Sequence, residues 1–381
     1  MPHSAHPTAR AWLDVDLAAV RHNAAVLRAR AKAPLLAMVK ADSYGIGATA
    51  VCRALGVAFR DQPPRADAPW GVGIASLDEA ETLRSADCLG RIVCLQPLLP
   101  PELPRAAALG VTPSLHRAAD IAVWRAMTSA PYHLSIDTGM ARAGVRWDRV
   151  AALRDAVAAA PPEGVFTHFH SADESLPSRD EQDERFAASL ATLANVLSPG
   201  VLRHSDNSGG IASRVQGSPG HLARPGIALY AGMFDQQLGL RPVVHLRARV
   251  IDLRDVHPGE SVSYGATWRA TSLRRIATLA CGYADGYRRH LSNAGTVLIN
   301  GTRCAVVGRV TMDMVMIDVT GVPCERGQVA TLIGRDGADL LTVGMVADAG
   351  GVSPYELLTG LSQRVPPVYH DALPVPVAFP S

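Results

Sequence analysis

Short apolar or β-branched runs recur along the first two thirds of the chain, at 35–40, 71–75, 92–95, 111–115, 133–136, 165–169, 202–207 and 222–230. Runs of this length bounded by turn residues read as buried strands. Ala-, Leu-, Arg- and Glu-rich stretches of helical character separate most of them, for instance 48–59, 77–85, 150–160 and 180–197. A further helical stretch, 17–33, leads into the first run. Strand and helix alternating eight times predict a TIM-type (β/α)8 barrel, with an open doubly wound sheet as the alternative. Chemistry in a barrel gathers at the C-terminal ends of its strands. Lys40, Asp137, His168, Asn207 and Arg224 all fall at or near such ends.

The texture changes after about residue 235. The stretch 243–256 alternates polar and apolar positions like a half-buried antiparallel strand. Strand-like runs follow at 275–280, 296–299, 304–310, 314–319 and 328–333, with one helix-like stretch at 343–349. The expected α/β architecture is therefore a barrel over 10–237 followed by a mainly β C-terminal domain over 238–381. The tail from Pro374 reads as extended.

Composition narrows the class. A chain of 381 residues is too long for one ordinary core, which agrees with two domains. Its residues are 48% hydrophobic and 19% charged, and a net charge of +2 offers nothing to a nucleic acid. The six cysteines form no C-x-x-C pair and read as reduced thiols of a cytoplasmic protein, with neither a disulfide framework nor a metal site. The first ten residues lack a signal-peptide core, and no apolar run is long enough to span a membrane.

Several clusters could carry chemistry. Lys40 ends an apolar run and is followed at once by Tyr44, Gly45 and Gly47. A lysine held in a dry pocket loses its charge readily and becomes an amine nucleophile, as Schiff-base lysines do. Arg142 sits in a glycine-punctuated loop after 133–137, where a guanidinium could grip a carboxylate. The small, polar segment 204–210 and the Arg224-Pro225-Gly226-Ile227 turn belong to the seventh and eighth runs. Barrels often bind phosphate at those two loops. Tyrosines occupy tight turns at Tyr264, Tyr283, Tyr287 and Tyr355.

Taken together, the ordered segments VKADSYG, DTGMARAG, THFHSAD, ARPGIALY, VSYG, GYADGY, VGRVTMDM and YELL resemble the bacterial alanine racemases, enzymes that use pyridoxal 5'-phosphate (PLP). The resemblance runs from about residue 10 to 370 in family order. It implies a homodimeric isomerase that interconverts L- and D-alanine for peptidoglycan. Lys40 would hold PLP as a Schiff base. Tyr44, Ser208, Gly226, Ile227 and Tyr355 would hold its phosphate, and Arg224 would face its ring nitrogen. His168 and His204 would join Arg224 and Tyr264 in a hydrogen-bonded network. Tyr264 would be the second catalytic base, and Tyr264 and Met312 would enter the other subunit's site. Arg142 and the Met312 backbone would receive the substrate carboxylate.

Two bases on opposite faces of Cα exchange its proton without turning the substrate. Free lysine and tyrosine have pKa values of about 10.4 and 10, so both need lowering to act as bases at neutral pH. Opposite the ring nitrogen, arginine leaves that nitrogen unprotonated and so weakens the ring as an electron sink. One position departs from the family pattern. A lysine, often carbamylated, commonly stands two residues before the Asp of DTGM and orients the carboxylate-binding arginine; here that residue is Ser135. A bound anion such as chloride, or an acidic side chain from elsewhere, is expected to take over. Alternatives on the same scaffold are a racemase of serine, lysine or arginine. A related decarboxylase would place a carboxylate where this chain has Arg224. A PLP carrier built on the barrel alone would not need Tyr264.

Overall fold

The computed structural model describes residues 9–174, 176–361 and 363–373; the expected extended tail from Pro374, and all but the last two of the first ten residues, lie outside them. Seven strands form one parallel sheet: β2 (Leu36–Met38), β3 (Gly71–Ile74), β4 (Ile92–Pro97), β5 (Val111–Leu115), β6 (His133–Asp137), β8 (Gly164–Phe166) and β9 (Leu202–His204). A two-residue strand, β7 (Val145–Arg146), pairs beside β6. The strands are short and most of their residues are buried, as expected for a parallel sheet covered on both faces.

The eighth run closes this sheet into a ring without being a full strand. Leu36 donates to the Ala223 carbonyl at 2.8 Å, Met38 to Pro225 at 2.9 Å, and on the other side Arg224 donates to Asp206 at 2.8 Å. The extended segment ends at Pro225, which has no N–H to continue a ladder. Residues Ile227–Tyr230, expected within the strand, turn into a 3-10 helix. The helix expected over 48–59 is also shorter and stops at Ala54, because Gly56 (φ +77°) reverses the chain.

The second sheet has nine strands and is organised around β10 (Val244–Val256). β10 pairs antiparallel with Arg274–Leu279 and with Val329–Asp336. Its remaining partner is β1 (Ala11–Asp16), from the opposite end of the chain. β1 in turn lies parallel to Pro367–His370. The first and last described strands thus lie side by side in this sheet, although Ala11–Asp16 falls in the segment read as barrel. Among the described residues no helix is long and apolar enough to cross a membrane.

Elements from the end of the chain seat on the turn that follows Lys40. The helix Pro354–Thr359 packs against Lys40–Gly45, and Tyr369 donates its hydroxyl to the Ile46 carbonyl at 3.0 Å. The second domain therefore contributes to the mouth of the first.

Candidate active site

One cavity of about 580 Å³ opens at the C-terminal ends of the parallel strands. Its lining includes all five strand-end residues expected there: Lys40, Asp137, His168, Asn207 and Arg224. Tyr44, Arg142, Ser208, Gly226, Ile227 and Tyr355 line it too.

Lys40 is aimed by an unusual backbone. Ala41, Asp42, Ser43 and Tyr44 all take left-handed φ values of 51–59°. Each non-glycine residue there costs roughly 1–2 kcal/mol, so the turn must be held from outside. The turn starts four residues before the first glycine, Gly45. Glu79 holds one side, accepting from Ala41 N–H at 2.7 Å with Oε1 and from Ala75 N–H at 2.7 Å with Oε2. Asp42 holds the other, accepting from Ala48 N–H at 2.6 Å. The turn brings Lys40 and Tyr44 onto the wall of the same cavity. Glu79 was not singled out from the sequence, yet Ser76 and Glu79 stand three apart after a strand, the spacing of a helix capping box.

The amine of Lys40 is held below its ordinary pKa, mainly by burial and next by the positive charge of Arg142, while Glu79 opposes the shift. That is the direction a lysine nucleophile needs. Arg142 has no hydrogen-bond or ion-pair partner among the described residues. The acidic side chain proposed to replace the family lysine at Ser135 is therefore not found beside it.

Arg224 sits at the back of the cavity and is only 2% exposed. Its Nη1 donates to His204 Nδ1 at 2.9 Å and to the His204 carbonyl at 2.7 Å. Its Nη2 donates to the carbonyls of Thr167 (2.6 Å) and Ser205 (2.9 Å) and lies 3.4 Å from His168 Nδ1. Nε is the donor these contacts leave over. Burial lowers the guanidinium to about 10, countered by Asp206, so it remains a cation at neutral pH. His168 is pushed down to about 3, chiefly by burial and then by Arg224, and stays neutral. His204, expected at the site, is fully buried behind Arg224 rather than in the cavity wall.

At the other side, Ser208 accepts from Gly226 N–H at 2.9 Å and from Ala228 N–H at 3.3 Å. A Cβ on Gly226 would fall 2.2 Å from the Tyr44 hydroxyl, so only glycine leaves room for it. Tyr44 packs between Tyr230 and Tyr355, with centroid separations of 5.0 and 6.0 Å. Two expected site residues are not brought here. Tyr264 (72% exposed) and Met312 (52%) lie at the surface, outside the cavity of the single chain.

The alanine racemase N-terminal domain signature matches residues 15–233 and the C-terminal domain signature matches 243–369. The alanine racemase of Deinococcus radiodurans is 41% identical over 364 residues, covering 93% of this chain and 98% of its own. That of Carboxydothermus hydrogenoformans is 35% identical, over 94% of this chain and 99% of its own. Among solved structures, the alanine racemase from D-cycloserine-producing Streptomyces lavendulae superposes with a TM-score of 0.86 at 32% identity, covering 96% and 98% of the two chains. The Bartonella henselae alanine racemase with covalently bound pyridoxal phosphate gives 0.82 at 28% identity, over 95% and 100%. With both domain signatures matched and near-full-length relatives above 30% identity, this chain belongs to the alanine racemase family of isomerases.

Proposed function

We propose that this chain interconverts L- and D-alanine by exchanging the Cα proton between two bases, Lys40 on one face and the partner subunit's Tyr264 on the other. The observation that carries the reading is the single cavity that joins a lysine of lowered pKa, a buried arginine and a cluster of hydroxyl donors.

The residues present fit PLP. The glycine cradle at Gly226, with Tyr44, Ser208, Ile227 and Tyr355 around it, suits a phosphate. Lys40 would hold the cofactor, and Arg224 would face its ring nitrogen through Nε. PLP, when bound, draws electrons from the substrate's Cα and so acidifies its proton. Arg224 keeps its proton at neutral pH and would donate only a hydrogen bond, leaving the ring nitrogen unprotonated and that withdrawal moderate. His168 and His204 position Arg224. Arg142, with the Met312 backbone of the partner subunit, would receive the substrate carboxylate. The exposed Tyr264 and Met312 favour a homodimer in which each subunit completes its partner's site. D-Alanine for peptidoglycan is the product we assign, and six free cysteines among the described residues suit a reducing cytoplasm.

A racemisation assay across a panel of L-amino acids with added PLP tests the substrate. Alanine is expected to turn over fastest, and a preference for lysine or arginine overturns the reading. Run with and without chloride, the same assay tests the clamp beside Ser135. We infer that an anion there partners Arg142, so chloride should lower the KM for alanine; a KM indifferent to every added anion rejects it.

Gly226→Ala tests the cradle. Its methyl group displaces the Tyr44 hydroxyl, and losing one hydrogen bond to a charged phosphate, worth roughly 1.5 kcal/mol, should weaken PLP binding about tenfold. Fluorescence titration of PLP measures it, and unchanged affinity removes Tyr44 from the phosphate site.

A further inference from the structure

The hydrogen bonds of Arg224 continue beyond His204. His204 Nε2 lies 2.9 Å from His133 Nδ1. His133 Nε2 faces Glu163 Oε2 at 3.5 Å, and those two buried atoms have no other partner. Glu163 Oε1 in turn accepts from Arg91 Nη1 at 2.8 Å. Both histidines are fully buried, and Phe166 stacks on His204 with ring centroids 5.0 Å apart. Glu163 immediately precedes β8, whereas His168 of the cavity follows it. The series therefore runs through the barrel, from the cavity to the opposite end of the strands.

With Arg224 seated at one end and Glu163 at the other, its direction follows from chemistry. A guanidinium only donates, so His204 Nδ1 must present a lone pair. His204 is then neutral with its proton on Nε2, which it gives to a lone pair on His133 Nδ1. His133 in turn carries its proton on Nε2, aimed at the Glu163 carboxylate. Burial and the nearby Arg224 disfavour protonation of His204, and burial does the same for His133. The reverse tautomers would set His204 Nδ1–H against an Arg224 N–H, two donors face to face in a dry interior.

We propose that Glu163, at the far end of the barrel from the substrate, is a positioning residue that fixes the tautomers of His133 and His204 and thereby the orientation of Arg224. The consequence for catalysis rests on Arg224 facing the cofactor's ring nitrogen; the tautomers do not depend on that reading. Glu163→Leu and Glu163→Gln separate the parts. Both remove the charge opposite Arg91, but glutamine keeps an oxygen able to accept from His133 Nε2–H, a contact that the wild-type carboxylate makes only loosely at 3.5 Å.

The test is a long-range 1H–15N spectrum of the PLP-loaded enzyme labelled at histidine nitrogens, with His133→Gln assigning the pair. The wild type and Glu163→Gln are expected to show Nε2–H tautomers at both histidines. Glu163→Leu leaves His133 Nε2–H without an acceptor, and reversing the two histidines relieves this only by turning Arg224 from its seat. The variant should therefore show mixed or reversed tautomers, and kcat about tenfold lower with little change in KM, the scale typical of losing a partner that orients a functional histidine. Nδ1–H tautomers in the wild type, or unaltered spectra in Glu163→Leu, overturn the proposal. Altered tautomers with unchanged kcat overturn the link to Arg224 and leave the racemase reading standing. If Glu163→Leu fails to fold, Glu163→Met supplies the same apolar end.

Discussion

Lys40→Ala abolishes racemisation in both directions and ends covalent retention of PLP. The chain makes this unusually easy to read, because Lys32 and Lys40 are its only lysines. Lys32 is exposed at the C-terminal cap of Leu17–Ala31, whereas Lys40 lies in the cavity with its pKa lowered by burial and by Arg142. That shift favours the unprotonated amine at Lys40. Borohydride reduction of the PLP-loaded enzyme followed by peptide mapping should place the cofactor on Lys40 and leave Lys32 free. In Lys40→Ala the label should vanish. A general base alone contributes about 10²–10⁴-fold, and this residue is also the cofactor's anchor, so turnover should fall at least that far. Label on Lys32 in the wild type, or turnover in the variant within tenfold of it, refutes the assignment.

How far the sequence announced this site depends on whether the physics is local. The seven short buried strands were legible because each is a brief apolar run between turn signals, and their order placed Lys40, His168, Asn207 and Arg224 at one end of the barrel. The left-handed turn over 41–44 was not legible. Nothing in Ala-Asp-Ser-Tyr requires φ > 0; the conformation is imposed by Glu79, 38 residues from Ala41, and by elements from the end of the chain. β1 was hidden for the same reason. Its six residues were not read as an element; pairing with β10, more than two hundred residues away, and with Pro367–His370 makes them a strand. Ser135 was legible as a departure, but not that no carboxylate among the described residues pairs with Arg142. The relay from Arg224 to Glu163 depends on ring orientations that no sequence spacing encodes.

Tyr264→Phe should cut L- to D-alanine turnover by about 10²–10⁴-fold, the worth of a positioned acid–base group, with PLP affinity unchanged. Only the hydroxyl is removed, and the ring proposed to enter the partner's site stays, so the packing around the cofactor is kept. The two faces separate in deuterium oxide. Lys40 still reaches the proton of one enantiomer, so Cα–H exchange of D-alanine should persist in Tyr264→Phe while that of L-alanine is lost. Equal loss of both would break the assignment of one base to each face. The origin of the tyrosine has its own test. Lys40→Ala and Tyr264→Phe are each expected to be nearly inactive, but in a two-fold dimer built as proposed a mixed pair places both defects in one site and leaves the other intact. Random exchange makes about half of the dimers mixed, each with one good site of two, so about a quarter of wild-type activity should return on mixing after dissociation and reassociation. If Tyr264 serves the cavity of its own chain, mixed dimers hold no intact site and activity stays lost. Recovery that scales with the fraction of mixed dimers would locate the second base on the neighbouring subunit, where a surface tyrosine can do chemistry that its own chain cannot reach.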